Sequence, residues 1–175
     1  MKKLLSVAFV SSALLFCAGA SAAMTSGSVM VGGAEMFPSK NIVENAVNSK
    51  DHTTLVAAVK AAGLVDTLQS KGPFTVFAPT DAAFAKLPAG TVDNLVKPEN
   101  KALLTSILTY HVVAGNYDMK ALEQKIKQGG GHAELKTVNG QPLWIMSNGL
   151  HNIQLKDGQG NVANISTYDV HQKNG

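Results

Sequence analysis

Five histidines, His52, His111, His132, His151 and His171, are the first residues in this chain to test for chemistry. None stands at the HxxxH or HExxH spacing that turns two imidazoles toward one metal from a helix face. His132 and Glu134 lie two apart in a β-type run and share a face, which is a weak metal signal. The serines carry no GxSxG elbow, so a Ser-His-Asp triad has no sequence signature. Gly129–Gly131 lacks the Lys-Ser/Thr and the following helix of a phosphate loop. Two clusters remain. The stretch GPFTVFAPTDAAFAKLP, residues 72–88, places the Thr75 hydroxyl and the Asp81 carboxylate beside a strand-to-helix corner. Tyr110-His111 places a phenol next to an imidazole, a side-chain type that serves as acid, base or pH switch.

Each cluster needs elements to hold it. Phe74–Ala78 is a β-type run stopped by Pro79, which cannot continue a central strand. Thr80 or Asp81 then caps a short helix whose Phe84 and Leu87 face inward. On this reading Pro79 is a strand stop, and Phe77 and Phe84 are core. A cap contributes about 1 kcal/mol and truncating a buried Phe costs about 3–5 kcal/mol, so the block explains itself as scaffold without catalysis. Before it, Ser39 caps a helix in SKNIVENAVNS, TTLVAAVKAAG forms a second helix ended by Gly63, and LVDTLQS a third. After it, ENKALLTSILTYHVV predicts an amphipathic helix leading into a strand at Tyr110–Val113. Adjacent strand residues point to opposite faces, so one of the Tyr110 and His111 rings is expected inside and the other exposed.

The C-terminal third changes period from helical to alternating. AELKTV, Asn139-Gly140 and PLWIM predict a hairpin with a primed turn. NIQLK, Asp157–Gly160 and NVANIS predict another. Residues 127–131 read as a loose connector. PLWIM is apolar on both faces, which predicts an inner strand with Trp144 and Met146 in the core; exposed, that pair would instead mark a binding surface. Helices first and antiparallel strands second define an α+β domain.

The chain opens with two lysines, an apolar run from Leu4 to about Ala18 and an Ala20-Ser21-Ala22 cleavage pattern, a secretory leader over residues 1–23. The apolar run is shorter than the roughly 20 residues of a membrane span, so no integral span is expected and the product is placed in the periplasm or outside the cell. Cys17, the single cysteine, falls in the leader, so the mature domain has no disulfide. All 15 basic residues are lysine. Loss of Lys2 and Lys3 leaves 13 against 12 acids and takes the net charge from +3 to +1. Without arginine or a basic surplus, nucleic acid is excluded as a partner. Residues 24–35 read as a flexible lead and 36–175 as one domain.

HTTLVAAVKAAGLVDTL, GPFTVFAPTDAAFAKLP and ILTYHVVAGNY, in that order, resemble the fasciclin (FAS1) domain over roughly Met36 to Gly175. Thr75, Phe77, Ala78, Pro79, Asp81 and Phe84 match the family's first signature block, and Tyr110-His111 its tyrosine–histidine motif. Asp169-Val170 resembles the Asp-Ile pair ahead of the second signature block, an apolar strand that would follow Gly175. The resemblance implies a wedge-shaped antiparallel β-sandwich with helices along one side, with that last strand missing from this stretch. It implies an exported adhesive or protein-interaction module, without catalysis or cofactor. Its partner would be a cell-surface or matrix protein or a polysaccharide. It further implies an interaction surface at Tyr110, His111, Val112 and Val113. A second reading is a carrier for a small lipid-like ligand held between helices and sheet. Asn164-Ile165-Ser166 fits a glycosylation sequon, incidental behind a leader of the bacterial kind.

Overall fold

The computed structural model describes residues 27–149 and 152–175; the expected leader and His151 lie outside them. The first described element overturns an expectation. Residues 24–35 were read as a loose lead, yet β1 (Val29–Val31) and β2 (Ala34–Met36) form an antiparallel hairpin. Gly32 and Gly33, at φ 56° and 75°, supply the two positive angles of a primed turn. Gly32 accepts from the Lys50 N–H at 3.0 Å, and any side chain there would collide with Ser49. Met36 is buried.

Three helices follow: α1 (Ile42–Ala46), α2 (Thr53–Ala62) and α3 (Val65–Gln69). Asn41, not Ser39, caps α1, in a reciprocal capping box with Glu44. Gly63 ends α2 in the left-handed region as its position predicts. Then come β3 (Phe74–Val76), α4 (Asp81–Phe84), α5 (Thr91–Leu95) and α6 (Lys101–Tyr110). β4 (Val112–Ala114) pairs antiparallel with β3, Val76 opposite Val112.

α7 (Met119–Gln128) was not foreseen beyond a loose connector at its end. Its signals were present: Asp118 as an N-cap bonded to the Ala121 N–H, and Leu122 and Ile126 four apart on the buried face. The meander is as expected, with β5 (His132–Lys136), β6 (Pro142–Ser147), β7 (Ile153–Lys156) and β8 (Val162–Asn164) in sequential antiparallel order. The β5–β6 turn differs from the expected primed pair. Only Gly140 has positive φ there, and Thr137 N–H bonds the Gln141 carbonyl. That is the longer loop of a type I turn closed by a left-handed glycine.

Two cores result. One joins α1, α2, α3 and α6 and contains Leu55, Val59, Leu104, Leu108 and Val112. The other joins α7 to the meander through Leu122, Ile126, Leu135, Ile145 and Ile153, and takes in Val113. β4 is the hinge between them, because successive strand residues face opposite ways. β3 repeats the arrangement: Phe74 and Val76 pack on the first core, and Phe77 just beyond it on the second.

Candidate functional site

The Tyr110-His111 pair sits where α6 gives way to β4. The strand expected at Tyr110–Val113 begins two residues later, at Val112; Tyr110 is the last residue of the helix and His111 its C-cap. The helix persists because Leu104 and Leu108 bury one face. Thr105 and Thr109 also return their hydroxyls to the carbonyls of Lys101 and Thr105, at 2.8 and 2.7 Å. Alternation therefore does not separate the two rings. Both are half-buried, edge to face, with centroids 6.1 Å apart.

Each ring is tied to a different layer. The Tyr110 hydroxyl donates to the Pro142 carbonyl at 3.0 Å, joining α6 to the start of β6. Burial raises the pKa of this phenol, as does the negative charge of Asp157, against a hydrogen bond from the Gly158 backbone. The phenol thus also abuts the β7–β8 turn. His111 Nδ1 lies 2.8 Å from the Ile107 carbonyl; a carbonyl only accepts, so Nδ1 carries the proton. The His111 carbonyl accepts from the Phe77 N–H at 2.9 Å, which extends the β3–β4 ladder.

Val112 and Val113 depart from expectation. They were placed on an interaction surface with Tyr110 and His111, but they are 7 % and 2 % exposed, one in each core. The physical reason is the hinge role of β4, which leaves neither face to solvent. Leu87, expected inside, is exposed, while Phe84 packs partly buried on the first core.

The first signature stretch proves to be a clamp. Thr80 caps α4 through the Ala83 N–H. Asp81 caps a different helix: α2 has no side-chain cap of its own. The Asp81 carboxylate accepts from the Thr53 N–H at 3.2 Å, the Thr53 hydroxyl at 2.6 Å and the Thr54 N–H at 2.8 Å. Burial pushes this carboxyl's pKa up, but the bonds from Thr53 and Thr54 prevail and lower it. Thr75 donates to the Gly115 carbonyl at 2.7 Å and accepts from the Tyr117 N–H at 2.9 Å, holding the loop after β4. Asp169, at φ 55°, aims its carboxylate at the Met119 N–H at the start of α7, 2.7 Å away. Pro79 follows β3 as a half-buried strand stop. None of these residues is brought against Tyr110 by a hydrogen bond.

Asn174 is a functional part of the scaffold that the sequence reading did not single out. It is buried, accepts from the Ile42 N–H at 3.1 Å and donates to the carbonyls of Leu68 and Ser70 at 2.7 and 2.9 Å. Its own carbonyl takes the Phe74 N–H at 3.0 Å. Between the two cores runs an open apolar groove of about 660 Å³, lined by Val59, Phe74, Val76, Phe77, Leu155 and Tyr168. Trp144 and Met146 are the other correction. They were expected in the core, but Leu143 and Ile145 form the buried face of β6, at 4 % and 0 % exposure. Trp144 and Met146 stand half-buried on the opposite face. Among the described residues no three His, Cys, Asp or Glu side chains gather to hold a metal, and no helix is long and apolar enough to cross a membrane.

Two helix-flanked cores hinged on one short strand, with an antiparallel meander behind them, define an α+β fold of the fasciclin type. Residues 50–175 match the family model of the Fasciclin domain, and the chain belongs to that family. A solved FAS1 domain pair from the insect cell adhesion molecule Fasciclin I shares the fold with a TM-score of 0.67 at 18 % identity. The match covers 79 % of this chain and 48 % of that one. Protein sll1483 of Synechocystis is 43 % identical over 153 residues, 86 % of this chain and 76 % of its own length. The cell surface glycolipoprotein MPB83 of Mycobacterium bovis is 38 % identical over 163 residues, 88 % of this chain and 67 % of that protein. The immunogenic protein MPB70 of the same species is 50 % identical over 104 residues, 57 % of this chain; the match spans about half of MPB70, 51 %.

Proposed function

We propose that this chain is an exported adhesive module that binds a cell-surface or matrix protein or polysaccharide without catalysing a reaction. The observation that carries this reading is membership of the Fasciclin family together with a named cell surface glycolipoprotein among its relatives and a named cell adhesion molecule sharing its fold. The leader expected over residues 1–23 would export the domain. The exposed edges of Tyr110 and His111 are the contact surface this reading assigns, without the buried Val112 and Val113. The test is retention of cells and of matrix polymers on the immobilised protein, set against a folded His111→Ala variant. Retention lost in the variant supports both adhesion and that surface. Retention no better than on an unrelated domain refutes adhesion for the surfaces tried.

The groove between the cores favours a second reading, a carrier for a small lipid-like ligand. Its volume of about 660 Å³ falls within the roughly 300–1,000 Å³ of small-molecule sites. Gln172 adds a buried side-chain oxygen with no hydrogen-bond partner. Native mass spectrometry of the purified protein decides: a co-purifying lipid supports the carrier, and a bare chain after incubation with lipid refutes it.

A further inference from the structure

The outer face of the meander carries a second pocket, of about 540 Å³, lined by His132, Trp144, Met146, Lys156 and the turn at 157–160. The pairing register sets Glu134, Trp144 and Lys156 in one row across β5, β6 and β7. His132, Met146, Gln154 and Asn164 make the next row, which extends onto β8. The second core is already closed from the other side by Leu135, Ile145 and Ile153. An aromatic ring at position 144 is therefore not needed to complete it.

The wall of the pocket is preformed. The Asp157 carboxylate accepts from the Gln159 and Asn161 N–H groups at 2.9 and 2.8 Å and from the Asn161 side-chain amide at 2.8 Å. The turn thus holds its shape without a ligand, and Asp157 is occupied within it. Charge in the pocket lining balances, with the Lys156 ammonium set against the Asp157 carboxylate held in the turn. An apolar plate bordered by imidazole, amide and ammonium groups, with no net charge, complements a neutral pyranose. The C–H face of such a sugar packs on an aromatic ring, and its hydroxyls both donate and accept. A nucleic acid would need a basic surplus with arginine, and the chain has no arginine. An added peptide strand would need a free sheet edge, whereas Trp144 lies on an inner strand.

We propose that the pocket around Trp144 binds a neutral oligosaccharide segment of a surface polysaccharide, an assignment that rests on the adhesive reading and names its partner class. Trp144 is the single tryptophan of the chain, so its emission reports the pocket directly. The wild-type protein is titrated with cellopentaose, chitopentaose and maltopentaose. At least one should give a saturable emission change with half-saturation below about 1 mM, and should shield Trp144 from acrylamide quenching. By calorimetry Trp144→Leu should weaken that binding at least tenfold, and His132→Ala and Lys156→Ala severalfold, with the circular dichroism unchanged. No saturable change with any of the three sugars up to about 10 mM, or undiminished calorimetric binding by Trp144→Leu, overturns the proposal. Cell retention without sugar binding overturns the pocket and leaves adhesion standing. Sugar binding without retention keeps the pocket and overturns adhesion.

Discussion

Replacing Asp81 with Ala tests whether the first signature block is a clamp. The carboxylate satisfies two N–H groups in the first turn of α2 and the Thr53 hydroxyl, on a helix with no side-chain cap of its own. Loss of a cap costs about 1 kcal/mol. Removing a negative charge from a helix N-terminus costs about 0.3–1 kcal/mol more. Partial exposure discounts the charge contribution, so Asp81→Ala should destabilise by about 1.5 kcal/mol. For a domain near 150 residues that lowers Tm by about 3–6 °C. Asp81→Asn keeps acceptor oxygen but not charge and should lose about half as much. The pH dependence follows from the carboxyl's lowered pKa. A carboxyl titrating lower when folded stabilises fully above its unfolded pKa, and that contribution vanishes as pH falls through the folded value. The gap between wild type and Asp81→Ala should therefore be constant from pH 7 to about 5 and narrow below about 4, toward the part that an uncharged acceptor keeps. Urea unfolding followed by far-ultraviolet circular dichroism at neutral and acid pH measures both. A gap under about 0.5 kcal/mol at pH 7, or one of the same size in acid as at neutral pH, would refute the clamp.

Tyr110→Phe removes the donor to the Pro142 carbonyl and should cost about 1 kcal/mol in urea unfolding; no loss would mean the phenol does not tie α6 to the meander. His111→Ala removes the bond to the Ile107 carbonyl and should lower stability by about 1 kcal/mol, read as Tm; an unchanged Tm would free His111 of a structural role. Asn174→Ala strands the Ile42 N–H and the Leu68 and Ser70 carbonyls. With the buried Leu68 carbonyl costing about 1–3 kcal/mol when orphaned and the two less buried groups adding to it, this should be the most destabilising of these variants in the same assay, and a loss under about 1 kcal/mol would show that other partners replace it.

Legibility along the chain tracks the range of the interaction. Gly63 stopping α2, the Pro79 strand stop and the meander are local or near-local patterns, and the sequence displays them. The β1–β2 turn was equally local, but two adjacent glycines in a weakly patterned stretch read as looseness rather than as the positive φ pair they supply. α7 was missed although its cap and its four-residue apolar spacing were in view. The polar residues of the candidate site were harder for a different reason. Asp81 serves a helix 28 residues upstream, Asp169 one 50 residues upstream, and Asn174 the N–H of Ile42 across 132 residues. A cap on a distant helix leaves no spacing rule in the chain. Its donor side shows only as a helix start with a weak cap, here His52 before Thr53.

The same reasoning separates two surfaces, the Tyr110-His111 corner and the Trp144 face. Tyr110 and His111 each commit one polar atom to a hydrogen bond that closes the fold, one to the meander and one to the helix they terminate. Val112 and Val113 are wholly committed, because β4 packs on both cores. A binding partner at this corner meets ring edges whose polar atoms are partly engaged. Trp144 has the opposite standing. Its strand is anchored through Leu143 and Ile145, and its turn wall is held by Asp157. The ring side is thereby left as surface that stability does not require. The tyrosine–histidine corner is tied into the fold by its hydrogen bonds, whereas among the described residues Trp144 makes no side-chain hydrogen bond that closes the fold. The paired variants His111→Ala and Trp144→Leu separate the two, the first lowering Tm and the second lowering sugar affinity.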